Sequence, residues 1–341
     1  MSTQPPKLIS VTILTGFLGS GKTTLLRRIL QEHQDRRIAV IENEFGEVGI
    51  DDRLLQGASA GAEIIEMNNG CVCCSVRGDL VRILDELYAK RQAGALGFER
   101  VIVETTGLAN PGPVVHTFAR GSPLSACYRL DAIVTIVDAK HGQRQLDDFR
   151  EAQEQVGFAD RLLLSKTDFV STDDESRLRR RLERMNPRAP IGRVRFGETP
   201  VAEILDIREF DPSAIPDLHE SHTGDEHHAR DDRVGSFVFR ASRPFDPARL
   251  DAFLSAMIDL YGTDMLRYKG LLEFEGYSER VVFQGVQALF DIGLGRRWVT
   301  GEARGSVLVF IGRDLPRDLF LRGLESSLVA EPAADWTARA A

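Results

Sequence analysis

Ile9-Ser10-Val11-Thr12-Ile13-Leu14-Thr15-Gly16-Phe17-Leu18-Gly19-Ser20-Gly21-Lys22-Thr23-Thr24 reads as an apolar strand, a glycine-rich loop and the first residues of a helix. Glycines at 16, 19 and 21 let backbone N–H groups wrap a phosphate chain. Lys22 supplies a point charge to the β- and γ-phosphates, and the Thr23 hydroxyl suits Mg²⁺. The helix that follows, expected over Lys22–Glu32, turns its positive end toward the anion and carries one apolar stripe of Leu25, Leu26, Ile29 and Leu30. Gly16 to Thr24 are therefore the candidate phosphate-binding residues.

Working outward, apolar strand-like runs alternate with amphipathic helical runs to about residue 205, the pattern of a parallel sheet covered by helices. Strands are expected at 9–15, 37–41, 63–66, 100–104, 132–137, 161–164 and 191–195. Further helices are expected at 79–92, 143–156 and 173–185. Val101-Ile102-Val103 and Ile133-Val134-Thr135-Ile136-Val137 are apolar on both faces, as buried parallel strands require. Residues 207–233 read as a polar linker holding four of the seven histidines, a solvated stretch or a weak metal-capture segment. From 234 to 327 the order β-α-β-β-β-α, with a hairpin pair at 271–275 and 280–284, predicts a small α+β domain. Residues 328–341 read as a frayed tail. The expected architecture is thus α/β: a nucleotide-binding P-loop domain over 1–206 with a mostly parallel sheet, followed by the α+β domain.

Two more stretches extend the nucleotide site. Val101-Ile102-Val103-Glu104-Thr105-Thr106-Gly107 puts a carboxylate at a strand end, placed for Mg²⁺, and leaves Gly107 able to approach the γ-phosphate. Ser165-Lys166-Thr167-Asp168 resembles the guanine-reading motif, in which an Asp accepts hydrogen bonds from the base N1–H and exocyclic amine. Ser165 replaces the commoner Asn, which predicts the loss of one amide contact. Lys22, Thr23 and Glu104 are the candidate catalytic residues, and Lys166 and Asp168 the candidate base contacts.

Three of the four cysteines fall in Cys71-Val72-Cys73-Cys74. Thiolates this crowded in a cytosolic chain suit a metal better than a disulfide, Zn²⁺ best and Co²⁺ or Ni²⁺ less well. A carboxylate ligand from elsewhere is needed, and Glu42 in Ile41-Glu42-Asn43-Glu44-Phe45-Gly46 is the best placed. A redox or merely buried cysteine cluster stays open, and Cys127 reads as packing. The 341 residues carry a formal net charge of −8 with a pI near 5.5. That balance argues against nucleic acid and anionic lipid as partners. No signal core or membrane-length apolar run is present, so a cytoplasmic location is expected.

Together, Thr15 to Thr24, Glu42-Asn43-Glu44-Phe45-Gly46, Gly70-Cys71-Val72-Cys73-Cys74, Glu104-Thr105-Thr106-Gly107 and Ser165-Lys166-Thr167-Asp168 resemble the CobW-like metallochaperone GTPases, of the YjiA type. Leu266-Arg267-Tyr268-Lys269-Gly270 and Phe283-Gln284-Gly285-Val286-Gln287 carry the resemblance into the second half. It implies slow Mg²⁺-dependent hydrolysis of GTP to GDP, with Zn²⁺ held by Glu42, Cys73 and Cys74 and joined or not by Cys71. It also implies transfer of the metal to a client metalloprotein. A GTP-gated metal sensor without turnover, a cobalt or iron insertion chaperone, a thiol-redox switch and a homodimer remain open on the sequence.

Overall fold

The computed structural model describes residues 8–32, 37–43, 63–67, 76–118, 122–200, 204–205, 207 and 232–330. The chain forms two compact units that part between Ser236 and Phe237. The first is built on a seven-stranded sheet of β1 (Ile9–Gly16), β2 (Ile38–Asn43), β3 (Glu63–Met67), β4 (Arg100–Glu104), β5 (Tyr128–Asp138), β6 (Arg161–Ser165) and β7 (Ile191–Val194). Their order is β3-β2-β4-β1-β5-β6-β7, and every neighbouring pair is parallel. Each residue of β1 and β4 is buried, which explains apolar side chains on both faces, and the buried polar ones, Ser10, Thr12, Thr15, Arg100 and Glu104, are hydrogen-bonded.

Helices α1 (Lys22–Glu32), α2 (Val76–Gln92), α3 (Gly112–His116), α4 (Gly142–Asp148), α5 (Arg150–Phe158) and α6 (Thr172–Met185) link these strands. The expected stripe of α1 is buried in one core with Leu14, Val40, Ile102, Val134 and Leu163. Burying four such side chains contributes on the order of 6–12 kcal/mol before conformational entropy is counted. Ser171 caps α6, accepting from the Asp174 N–H at 3.1 Å.

The single helix expected at 143–156 is instead two. Phe149 breaks it with extended backbone (φ −130°, ψ 119°), because its ring packs on Phe17 with centroids 4.6 Å apart. Helical periodicity runs through the break, so the aromatic contact, not local propensity, sets it.

The second unit contains β8 (Val234–Ala241), α7 (Pro247–Tyr261), β9 (Arg267–Leu272), β10 (Glu279–Val286), β11 (Leu289–Arg297), β12 (Ser306–Arg313) and α8 (Arg317–Ser326). Its sheet order is β11-β10-β9-β12-β8, with β10 antiparallel to both β9 and β11. Three strands were expected between the helices and four are present. The missed one, β11, is an edge strand in which Phe290, Ile292 and Leu294 alternate with Asp291, Gly293 and Gly295; the two glycines dilute the strand signal and the apolar side chains stay exposed. The strand expected at 271–275 lies earlier, because Lys269 and Gly270 interrupt the apolar pattern yet pair with Gln284 and Phe283. The two C-terminal motifs are therefore cross-strand partners. Tyr268 faces Gly285 and donates its hydroxyl to the carbonyls of Gln287 and Leu289, which marks them as packing elements.

Candidate nucleotide and metal site

The loop after β1 has the required backbone: Gly16, Gly19 and Gly21 sit at φ 145°, 72° and 102°. Only glycine takes such angles without strain. Lys22 is buried, and its ammonium donates to the carbonyls of Gly16 (2.8 Å) and Phe17 (3.4 Å). Those bonds hold the charge over the loop, where a phosphate oxygen would compete for it. Phe17 packs inward on Phe149, Leu18 stands 55 % exposed, and Thr24 lies on the exposed side of α1.

Glu104 closes β4 and is buried; its Oε1 accepts from the Thr23 hydroxyl at 3.0 Å. A hydroxyl and a carboxylate converging beside a phosphate loop form the hard oxygen set that Mg²⁺ prefers. The next residues are fixed to the loop as well. Thr105 donates its N–H to the Leu14 carbonyl and its hydroxyl to Thr15. Gly107 lies against Leu18, where a Cβ would come within 2.6 Å of the Leu18 Cδ2. A side chain there would push the two loops apart. Gln155 completes the brace from α5: its amide donates to the carbonyls of Gly107 (3.1 Å) and Ala109 (3.0 Å).

At the other flank, Ser165 donates its hydroxyl to the Ser20 carbonyl at 2.7 Å. The shorter side chain thus ties β6 to the phosphate loop. Lys166 follows in the left-handed region (φ 57°) and pairs with Asp138 at 2.7 Å. Asp168 is exposed at the strand end. Burial alone would raise the Asp138 pKa, but hydrogen bonds from Lys166 and His141 outweigh it and hold the carboxyl below its ordinary value. Asp138 also accepts the N–H groups of Lys140 and His141. Neither Asp138 nor Gln155 belongs to a recognisable sequence motif. A polar residue ending the Ile133–Val137 run was the available signal for the first, and nothing in its helix marks the second.

Glu42, near the end of β2, is paired in register with Glu104 of β4. Opposed residues in neighbouring strands are about 5 Å apart and share a face. The candidate transition-metal carboxylate thus stands beside the candidate Mg²⁺ carboxylate. Cys71, Cys73 and Cys74 lie outside the described residues. Among the described residues no group of three or more His, Cys, Asp or Glu is gathered for a metal, and no helix is long and apolar enough to cross a membrane.

With this geometry in place, residues 10–193 match the CobW/HypB/UreG nucleotide-binding domain. The chain belongs to that family. Residues 234–328 match the cobalamin synthesis protein CobW C-terminal domain, so the two units follow the CobW arrangement. The zinc chaperone YjiA of Escherichia coli is 38 % identical over 91 % of this chain and 96 % of its own length. The zinc chaperone CobW of Pseudomonas aeruginosa is 34 % identical over 94 % and 92 %. The crystal structure of Zn(II)-bound YjiA GTPase superposes with a TM-score of 0.78 at 34 % identity, covering 95 % of this chain and all of that one.

Proposed function

We propose that this CobW-family protein is a GTPase whose nucleotide state controls Zn²⁺ binding and transfer to a client metalloprotein, in a reducing compartment such as the cytoplasm. The in-register pairing of Glu42 with Glu104 supports the reading, since it stands the candidate carboxylate for each metal on adjacent strands. Backbone amides from Gly16 to Lys22 wrap the phosphates, and Lys22 exchanges its loop carbonyls for phosphate oxygens. Thr23 and Glu104 would hold Mg²⁺, which when bound offsets the phosphate charge. Asp168 reads the guanine edge, with Lys166 held beside it by Asp138.

Hydrolysis is the in-line attack of water on the γ-phosphorus, breaking its bond to the bridging oxygen and yielding GDP and phosphate. The protein's part is positioning and electrostatics. Gln155 donates to two loop carbonyls and so positions the loop rather than the water, which fits slow turnover. Zn²⁺ is cargo, held by Glu42 with Cys73 and Cys74, and with Cys71 as a further thiolate. Movement at Glu104 on nucleotide exchange passes to Glu42 through the shared ladder, and the coupling is reciprocal.

The test is competitive Zn²⁺ titration of wild type and Cys73→Ala with a GTP analogue, with GDP and without nucleotide, alongside Mg²⁺-GTP turnover of wild type and Lys22→Ala. The expected result is a nucleotide-dependent wild-type affinity differing by roughly 5- to 150-fold between states, weakened in Cys73→Ala. Turnover should be lost in Lys22→Ala. Identical Zn²⁺ affinity in all three states sinks the coupling, and absent turnover leaves a GTP-gated metal sensor.

A further inference from the structure

Beyond β7 the chain makes a two-residue turn. Arg195 and Glu198 exchange both backbone hydrogen bonds, Arg195 N–H to the Glu198 carbonyl (3.2 Å) and Glu198 N–H to the Arg195 carbonyl (2.8 Å). The central residues, Phe196 and Gly197, sit at φ 49° and 81°, the signature of a type I′ turn. Such turns select Asn, Asp or Gly at the first central position, not an aromatic residue. Phe196 nevertheless occupies it with 72 % of its surface in solvent, so burial does not repay the strained backbone. Strain without a packing return is the mark of a functional position.

The turn is held in place against the phosphate-loop helix. A Cβ on Gly197 would meet the Thr24 carbonyl at 2.9 Å and the Arg28 Cβ at 3.0 Å, and Arg28 reaches Glu198 at 3.2 Å. On its other side the turn adjoins the base-reading segment. Ser165 and Val194 are register partners, so Lys166 and Arg195 leave neighbouring strands side by side. Arg195 lies over the Phe196 ring, 5.8 Å from its centre, where its charge orients the ring and draws density from it, which favours stacking with an electron-rich purine.

We infer that Phe196 is a stacking platform for the nucleobase, completing a base pocket whose edge contacts come from Asp168. The inference rests on the nucleotide reading above and adds a residue that supplies affinity for any purine, leaving guanine selection to Asp168. The turn also ties base occupancy to α1 through Gly197 and the Arg28–Glu198 pair.

The experiment is calorimetric titration of the full-length chain with Mg-GDP, Mg-ADP and Mg-tripolyphosphate, for wild type, Phe196→Ala and Phe196→Trp. Phe196→Ala should weaken GDP roughly 5- to 100-fold while leaving tripolyphosphate unchanged, which also reports an intact fold. Phe196→Trp should restore GDP affinity and show indole fluorescence quenched on binding. Equal GDP affinity in wild type and Phe196→Ala overturns the inference, as does equal weakening of tripolyphosphate. A wild type that prefers ADP, with ADP weakened in Phe196→Ala, overturns guanine selection and upholds the platform. A wild type that binds neither nucleotide overturns both.

Discussion

Two strand-end carboxylates flank the phosphate loop, and they are used in opposite ways. Asp138, closing β5, receives the Lys166 ammonium and two backbone N–H groups. Glu104, closing β4, receives the neutral hydroxyl of Thr23 and stands in register with a second carboxylate, Glu42. Asp138 is neutralised within the protein, so it orders the base side of the site. A carboxylate and a hydroxyl converging beside the phosphate loop offer the hard oxygen donors that Mg²⁺ prefers, which is the role proposed for this pair. On the proposed function, the Asp138 flank orders the base side of the site and the Glu104 flank meets the Mg²⁺.

Replacing each carboxylate by its amide tests this division, and the largest effect is expected at Glu104. Glu104→Gln keeps the size and a hydrogen-bond acceptor for Thr23 but removes the charge. Mg²⁺-dependent turnover should fall by about 100-fold or more, the scale seen when one preorganised electrostatic group is removed. GDP affinity without Mg²⁺ should change little. If turnover and its Mg²⁺ dependence survive, Glu104 is no more structural or less structural than Asp138, and the contrast collapses.

Asp138→Asn should act on order rather than chemistry. It leaves Lys166 without its counter-charge, and breaking a hydrogen-bonded charge of this kind costs about 1–3 kcal/mol. Thermal or denaturant unfolding at neutral pH should show that loss, with weaker GDP binding and a smaller change in turnover of bound nucleotide. The pH dependence follows from the depressed pKa of Asp138. Its contribution is complete above the ordinary Asp value of about 3.9 and is lost as pH falls through the lower folded-state value. The gap between wild type and Asp138→Asn should therefore close in acid. A gap that widens there would mean the carboxylate destabilises the fold.

How much of this was legible in the sequence follows the reach of each interaction. The phosphate loop is legible because its chemistry needs consecutive residues, and α1 because its stripe recurs within a few turns. Most strands of the parallel sheet declare themselves by apolar runs, while β7, with Gly192 and Arg193, carries a weaker signal. Asp138 and Lys166 are 28 residues apart and Gln155 and Gly107 are 48, so no local pattern signals either pair. Phe149 looks like one more apolar helix position until Phe17 is placed beside it. Strand β11 alternates, with Phe290, Ile292 and Leu294 at every second position, but Gly293 and Gly295 between them weaken the strand signal. Phe196 is hidden for a related reason, since its left-handed backbone is visible only in three dimensions.

The smallest effect should come from Ser165, and it is the finest probe of the base side. Its hydroxyl links β6 to the Ser20 carbonyl at 2.7 Å. Ser165→Ala removes one neutral hydrogen bond, worth about 0.5–1.5 kcal/mol, so GDP affinity should fall roughly 2- to 10-fold. Tripolyphosphate binding should fall by a similar factor, because the bond supports the loop and not the base. That pattern separates Ser165 from Phe196, whose loss spares tripolyphosphate. A Ser165→Ala protein that loses GDP alone would move the hydroxyl's role from the loop to the base and place all of Ser165-Lys166-Thr167-Asp168 in base recognition.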